Sequence, residues 1–373
     1  MESLILFRRS AFRGLFFKLL FLGLACNYAP FPATVVDAHS LRRIDHRLDR
    51  TRERLDDDGL WHYGCADPFK CKMGPGPAPA TAPSTFEPPS FEGDMVPWYI
   101  HYMNVSNNYE SMAASPDGLH VNLSITNDHI VSGRMYSKNM FLFGYFSMKM
   151  KLVPNESAGV ISTFYLISSD FDTRDEIDFE FLGNTTGNPI TLQTNVYMDG
   201  AGFRAQQHYL PFDPAADFHE YSLLWNQHLI IWFVDDKVIR VFHNKSNEIA
   251  THYPMSKPMQ VQATIWTELN QTNDWATQGG RVHIDFAYAP FVAQYEGFGG
   301  VDGCPVCAAT PPTACNNLSV CSDASKYWFQ QQEYLTEEQV NQLKDHRQNH
   351  VISDYCRRSE GAPEECPYNS FGT

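Results

Sequence analysis

The chain has 373 residues, 43 acidic against 28 basic, a formal net charge of −15 and 14% aromatic residues. That length accommodates a domain of roughly 200 residues with a substantial core, plus appendages. No basic stripe exists to neutralise phosphates, which excludes nucleic acid as a partner, and the aromatic richness suits a neutral, ring-shaped ligand.

Residues 1–29 read as a signal peptide. Arg8, Arg9, Arg13 and Lys18 precede an apolar run over 19–25 that is too short to span a bilayer well, with small residues for cleavage near Ala25 or Ala29. Its removal would take the net charge to −18. The alternative is an uncleaved anchor, but Lys18 lies close against the apolar run, so no stable membrane association is expected. Residues 30–90 form a charged and Pro-rich extension. Within it, Leu41, Ile44, Leu48 and Leu55 fall at roughly helical spacing, Cys65 to Cys71 makes a small loop that its own disulfide would close, and 73–90 is a Pro-rich linker.

The folded body is expected over 91–300. Short alternating or apolar segments at 119–125, 146–152, 161–167, 190–197, 219–225, 229–234, 238–242, 259–266 and 282–286 are punctuated by Gly, Pro and Asn. They predict an all-β sandwich with no long helix interrupting it.

The most informative segment is Asp175-Glu-Ile-Asp-Phe-Glu-Phe181. Alternation along a strand puts Glu176, Asp178 and Glu180 on one face and Ile177, Phe179 and Phe181 on the other, where they can anchor a core. Three like charges in a row are unfavourable. A solvated acidic edge that discourages aggregation is the plain reading. The chemical reading is glycoside cleavage, which needs one nucleophilic and one proton-donating carboxyl, roughly 5–5.5 Å apart for retention. Positions i and i+4 have Cα atoms about 13 Å apart, a gap that two long glutamates can largely close. Asp178 between them can hydrogen-bond a neighbour and discourage joint ionisation, so that one glutamate stays protonated.

Residues 301–373 are Cys-rich, and 302–325 read as loop. Thr336 with Gln339 three residues later predicts a capped helix, and a Cys356–Cys366 pairing would close the end. Beyond Cys26 at the leader, eight cysteines cluster at the two ends of the chain, as disulfide staples of an oxidising compartment do; the pairing of Cys304, Cys307, Cys315 and Cys321 is open. Cys304-Pro-Val-Cys307 has neither a βαβ context nor a second close pair, so no metal or cofactor is expected. Asn-x-Ser/Thr sequons at Asn104, Asn122, Asn155, Asn184, Asn244, Asn270 and Asn317 support secretion.

The central segment resembles the xyloglucan endotransglucosylase/hydrolase family, a plant branch of glycoside hydrolase family 16. The matching stretches include Ser147-Met-Lys-Met-Lys-Leu-Val-Pro154, the acidic strand with Leu182-Gly-Asn184, Leu192-Gln-Thr-Asn-Val196, Tyr221-Ser-Leu-Leu-Trp-Asn226 and Asp274-Trp-Ala-Thr277. They cover 119–304 well, 327–366 loosely and 30–90 not at all. The resemblance implies a concanavalin-like β-jelly roll with a small disulfide-bonded C-terminal extension containing a helix. It implies Glu176 as nucleophile, Asp178 as helper and Glu180 as acid/base, which also contacts substrate, and it makes Asn184 a glycosylation site. Further implied contacts are Gln193, Thr194 and Asn195 on a neighbouring strand, Phe203, Arg204 and Ala205, then Trp275, Ala276 and Gly280, and Lys344. Trp275 would stack on a glucosyl ring or fill a core.

The chain departs from the family where sugars would bind. Phe203-Arg204-Ala205 replaces a charged trio, Pro211 stands where tryptophan is usual, the 266–275 loop is longer, and Lys344 replaces arginine. The reading is a secreted, monomeric enzyme of the apoplast and cell wall that cuts xyloglucan with retention and transfers the fragment to another xyloglucan chain. The alternatives are an endohydrolase of xyloglucan or another β-glucan, and a non-catalytic polysaccharide-binding jelly roll, which would have no need of three aligned carboxylates.

Overall fold

The computed structural model describes residues 95–106, 111–126, 133–267, 275–308, 318–357 and 362–369. The leader, the 30–90 extension with its Cys65–Cys71 loop, Asn270, Cys315 and Asn317 lie outside the described residues. One helical turn, α1 (Trp98–His101), leads into β1 (Tyr102–Asn104), β2 (Met112–Ala114), β3 (Val121–Ile125) and the long β4 (Arg134–Lys151). Then come β5 (Val160–Ser168), β6 (Glu176–Leu182), β7 (Thr191–Tyr197), β8 (Gln206–Tyr209) and β9 (His219–Trp225). β10 (Leu229–Val234), β11 (Lys237–His243), β12 (Met259–Thr267), β13 (Phe291–Glu296) and β14 (Val301–Ala308) complete the body. The tail holds α2 (Leu318–Cys321), α3 (Glu337–Asn349), β15 (Val351–Asp354) and α4 (Cys366–Asn369).

β4 belongs to both layers of the sandwich. Residues 134–141 pair with β12 and residues 144–150 with β9, while its other edge takes β1, β14 and β13 in turn. At the crossing Phe143 adopts φ 69°, and Gly144 packs so closely on β14 that a Cβ would come within 2.7 Å of the Gly303 Cα. One layer runs β4-β12-β5-β6-β7-β8-β15, and the other joins β11-β10-β9-β4 to β13, β3 and β2. The result is the expected all-β jelly roll.

The acidic strand is held from behind. Ile177, Phe179 and Phe181 are buried, and Phe179 and Phe181 meet Tyr221 of β9 edge-on, with ring centroids 5.7 and 4.7 Å apart. Each buried phenylalanine contributes about 1.5–3 kcal/mol. That offsets the crowding of like charge on the opposite face.

Two sequence expectations are corrected. Residues 282–286 alternate like a strand but form none, because the Thr277 carbonyl captures the Arg281 and Val282 amides and Asp285 caps a short 3-10 turn over Phe286–Tyr288. The stretch read as loop, 302–325, begins inside a strand, β14; Pro305 sits among register shifts against β4, where a missing amide is tolerated. The tail carries the predicted capping box, with the Gln339 amide donating to Thr336 Oγ1 at 3.2 Å and the Thr336 amide to Gln339 Oε1 at 2.9 Å. Cys356 bonds Cys366, and Cys304 bonds Cys321, a pairing that spacing had left open.

Candidate active site

Strand register builds the cleft floor in rows. β6 lies between β5 and β7, so Glu180 has Thr163 on one side and Gln193 on the other, Asp178 has Tyr165 and Asn195, and Glu176 has Ile167 and Tyr197. β12 extends the rows, placing Thr264 beside Thr163 and Gln262 beside Tyr165, and Arg134 of β4 pairs with Thr264. A cleft of ≈ 240 Å³ opens over Glu176, Asp178, Glu180, Thr163, Tyr165, Thr264, Arg134 and Trp266. All three carboxyls therefore face one space.

Their surroundings differ. Gln193 Nε2 donates to Glu180 Oε2 at 2.7 Å, and Gln193 Oε1 accepts from Gln207 Nε2 at 3.0 Å, which fixes the amide's orientation. Burial, reinforced by the Glu176 charge and opposed by the Gln193 hydrogen bond, pushes Glu180 up to about 7. Burial also raises Glu176, but the Arg174 guanidinium pairs with its Oε2 and pulls in the other direction. Burial and the two flanking glutamates hold Asp178 well above the usual carboxylate range. Its buried Oδ2 meets no donor among the described residues, and burial beside two carboxylates favours the protonated form of Asp178. Trp232 Nε1 reaches across the sandwich to the Asp178 carbonyl at 3.0 Å and pins the middle of the strand.

The family profile described as glycosyl hydrolases family 16 matches residues 101–288. The chain belongs to glycosyl hydrolase family 16. Curated relatives agree. Xyloglucan endotransglucosylase protein 2 of Diospyros kaki is 42% identical over 67% of this chain and 80% of its own length. The probable xyloglucan endotransglucosylase/hydrolase 1 of Solanum lycopersicum is 43% identical over 69% and 86%. Among solved structures, the Bacillus licheniformis beta-glucanase is 22% identical, covering 52% of this chain and 89% of its own, with a TM-score of 0.43.

In this family 16 chain the remaining sequence-derived contacts fall into distinct places. Gln193 and Asn195 are on the cleft face, but Thr194 is opposite Phe179 and fully buried, so its hydroxyl points into the sandwich. There it accepts from Arg240 Nη1 at 2.9 Å and lies 3.2 Å from His208 Nε2. Asn195 Oδ1 accepts the Arg204 amide at 3.1 Å, tethering the next loop to the floor. Arg204 itself pairs with buried Glu365 of the C-terminal extension at 2.8 Å, and its Nη1 donates to the Ala201 and Gly202 carbonyls. The Ala205 carbonyl accepts the Tyr355 amide at 3.2 Å. Phe203 is 78% exposed at φ 68°, a backbone region that bulky residues rarely adopt.

Trp275 stacks on Trp266 with centroids 5.9 Å apart, and Ala276 packs with Ile161 and Leu182 beneath them. The Gly280 amide donates to Thr277 Oγ1 at 3.2 Å. Lys344 is exposed on α3 and is not among the residues lining the cleft. Asn184 lies two residues past the end of β6; its side chain is buried, Nδ2 donating to the Pro189 carbonyl and Oδ1 accepting from Gln278 Nε2. Sequence reasoning missed Arg174, Tyr197, Gln207, Arg134 and Tyr165, which reach the site through register and loop closure. One signal was available: the parity that puts Gln193 beside Glu180 puts Thr194 on the opposite face.

Proposed function

We propose that the chain is a retaining xyloglucan endotransglucosylase/hydrolase. Glu176 attacks the anomeric carbon of the donor glucan while Glu180 gives its proton to the departing oxygen. Glu180 then takes the proton of the acceptor hydroxyl as that oxygen displaces Glu176. The observation that carries this reading is the unequal setting of two glutamates over one cleft. Glu180, buried against Gln193, sits near 7 and can give and take a proton near neutrality, whereas Glu176 is paired with a guanidinium. Asp178 carries a proton between them and keeps their charges apart. The names of the relatives support xyloglucan as donor and acceptor.

In this reading the enzyme is a secreted monomer that works in the apoplast and cell wall. Asn184 carries a glycan. Gln193 acts by orienting Glu180, and Phe203 and the Trp266–Trp275 pair meet the polymer. Glu176→Ala is the test. It should abolish transfer of labelled xyloglucan oligosaccharide into polymer and recover part of the turnover with azide. Undiminished transfer would remove Glu176 from its role. Release of reducing ends with no labelled polymer from the wild-type protein would favour the endohydrolase instead.

A further inference from the structure

Arg174 lies two residues before the nucleophile, and its surroundings form a built slot. The guanidinium carbon stands 4.3 Å from the Phe171 ring centroid and 4.2 Å from that of Tyr197. Tyr197 is the cross-strand partner of Glu176. Nη1 donates to the Phe171 carbonyl at 3.0 Å, and Nε donates to Glu176 Oε2. The side chain is 14% exposed, so solvent screens this pair weakly.

The loop that delivers Arg174 is itself pinned. Asp170 accepts from the Asp172 amide and from Thr173 Oγ1, and Lys257 Nζ holds the Thr173 carbonyl at 2.6 Å. The Gly200 amide donates to the Arg174 carbonyl at 2.8 Å, and a Cβ at Gly200 would fall 2.1 Å from the Asp172 oxygen. The arginine is thus held at its carbonyl, through Nη1 and against two rings, with Nε turned to Glu176.

We propose that Arg174 is a positioning residue for the nucleophile: it fixes one Glu176 oxygen, presents the other to the anomeric carbon, and stabilises the carboxylate when it departs. The proposal rests on the reading of Glu176 as nucleophile. In the first step a Glu176 oxygen bonds the anomeric carbon, the glycosidic bond breaks, and the leaving oxygen takes the Glu180 proton. In the second the acceptor oxygen bonds that carbon, its proton passes to Glu180, and the electron pair of the breaking ester returns to Glu176. A cation beside Glu176 disfavours the neutral ester relative to the carboxylate, so it hastens this second step. It also keeps Glu176 ionised at lower pH than burial alone would allow.

The test uses the full-length glycosylated protein with Arg174→Gln and Arg174→Lys, an activated xyloglucan oligosaccharide donor and an oligosaccharide acceptor. The acid limb of kcat/KM against pH should move up by roughly 1–3 pH units in Arg174→Gln. In Arg174→Lys, which keeps the charge, it should return toward the wild-type position. Above the limb, kcat should fall more than kcat/KM, and glycosyl-enzyme trapped by rapid acid quench should rise several-fold. Should Arg174→Gln fail to fold, Phe171→Ala, which removes an exposed face of the slot, should move the limb in the same direction by less. An unmoved acid limb in a folded variant overturns the proposal. Glu176→Ala, assayed alongside, keeps the two readings apart: if it stays inactive and azide-rescued, the nucleophile stands and only the role of Arg174 falls.

Discussion

Replacing Gln193 with alanine tests the group that tunes Glu180, the proposed proton donor. The Nε2 hydrogen bond to Glu180 is short, 2.7 Å, and stabilises the ionised form. A hydrogen bond to a charged group is worth about 1.5–3 kcal/mol, and about 1.4 kcal/mol corresponds to one pH unit, so its loss should raise Glu180 by roughly 1–2 units from its value near 7. The alkaline limb of kcat/KM, which reports loss of the Glu180 proton, should move up by that amount. At pH 7 the fraction holding the proton should rise from about half to about nine-tenths or more. The maximal rate should still fall, because Gln207 no longer orients a group that orients Glu180. Gln193→Glu is the stringent companion: it puts a negative charge where the donor was and should push the limb higher still. The assay is initial rate over pH 4–10 with a chromogenic donor, together with melting curves that confirm folding at each end. An alkaline limb that stays in place, or moves down, in either variant would refute the assignment of Glu180 and of Gln193 as its tuner.

Three further outcomes follow from the polar groups around and behind the cleft. Asp178 has a raised folded-state pKa, so its contribution to stability is full below about pH 4 and is lost as pH rises toward that higher value. Asp178→Asn should therefore raise Tm relative to wild type more at pH 7 than at pH 4, while lowering turnover; equal differences at both pH values would contradict a protonated Asp178. His208 Nδ1 and His346 Nε2 face each other 3.0 Å apart, with His350, Arg347 and Arg240 nearby, and burial lowers both, His346 to about 3. Stability should thus be full above about pH 6.5 and decline as pH falls toward 3, a slope in the denaturant midpoint that His208→Gln flattens. Buried Arg240 donates to the Thr194 carbonyl and hydroxyl and to the Arg204 carbonyl at 2.7–2.9 Å, so Arg240→Met should cost about 3 kcal/mol or more. Calorimetry should show Tm lower by roughly 6–12 °C, and a change under 1–2 °C would remove Arg240 from the framework.

The acidic row was legible because its information is local. A period of two over seven residues decides which side chains share a face before any partner strand is known. What depended on pairing was not legible. Tyr197 meets Glu176, and Gln207 reaches Glu180 through Gln193, only because β6, β7 and β8 adopt one register. Nothing local marks Arg174, whose place against Phe171 and Tyr197 is set by the path of the 169–175 loop. Thr194 shows the converse: family resemblance supplied a position, and the strand decided the face. β1, β2, β8 and β15 span only three or four residues each, too few for any period to register. The 282–286 segment carried a period, but a turn takes the Val282 amide and a 3-10 turn begins at Phe286.

The tail also fixes the order in which the molecule can be finished. β15 adds to the free edge of β8, the Tyr355 amide closes on Ala205, and Glu365 holds the arginine beside Phe203. A chain leaves the ribosome from its N-terminus, so the acidic strand emerges nearly two hundred residues before the last of these partners. Until then the β8 edge lacks its β15 neighbour and the loop at Arg204 is held by Asn195 and Arg240. In the proposed reading the bond-breaking groups thus come early in the chain, and the surface proposed to receive the polymer is completed only by the C-terminal extension.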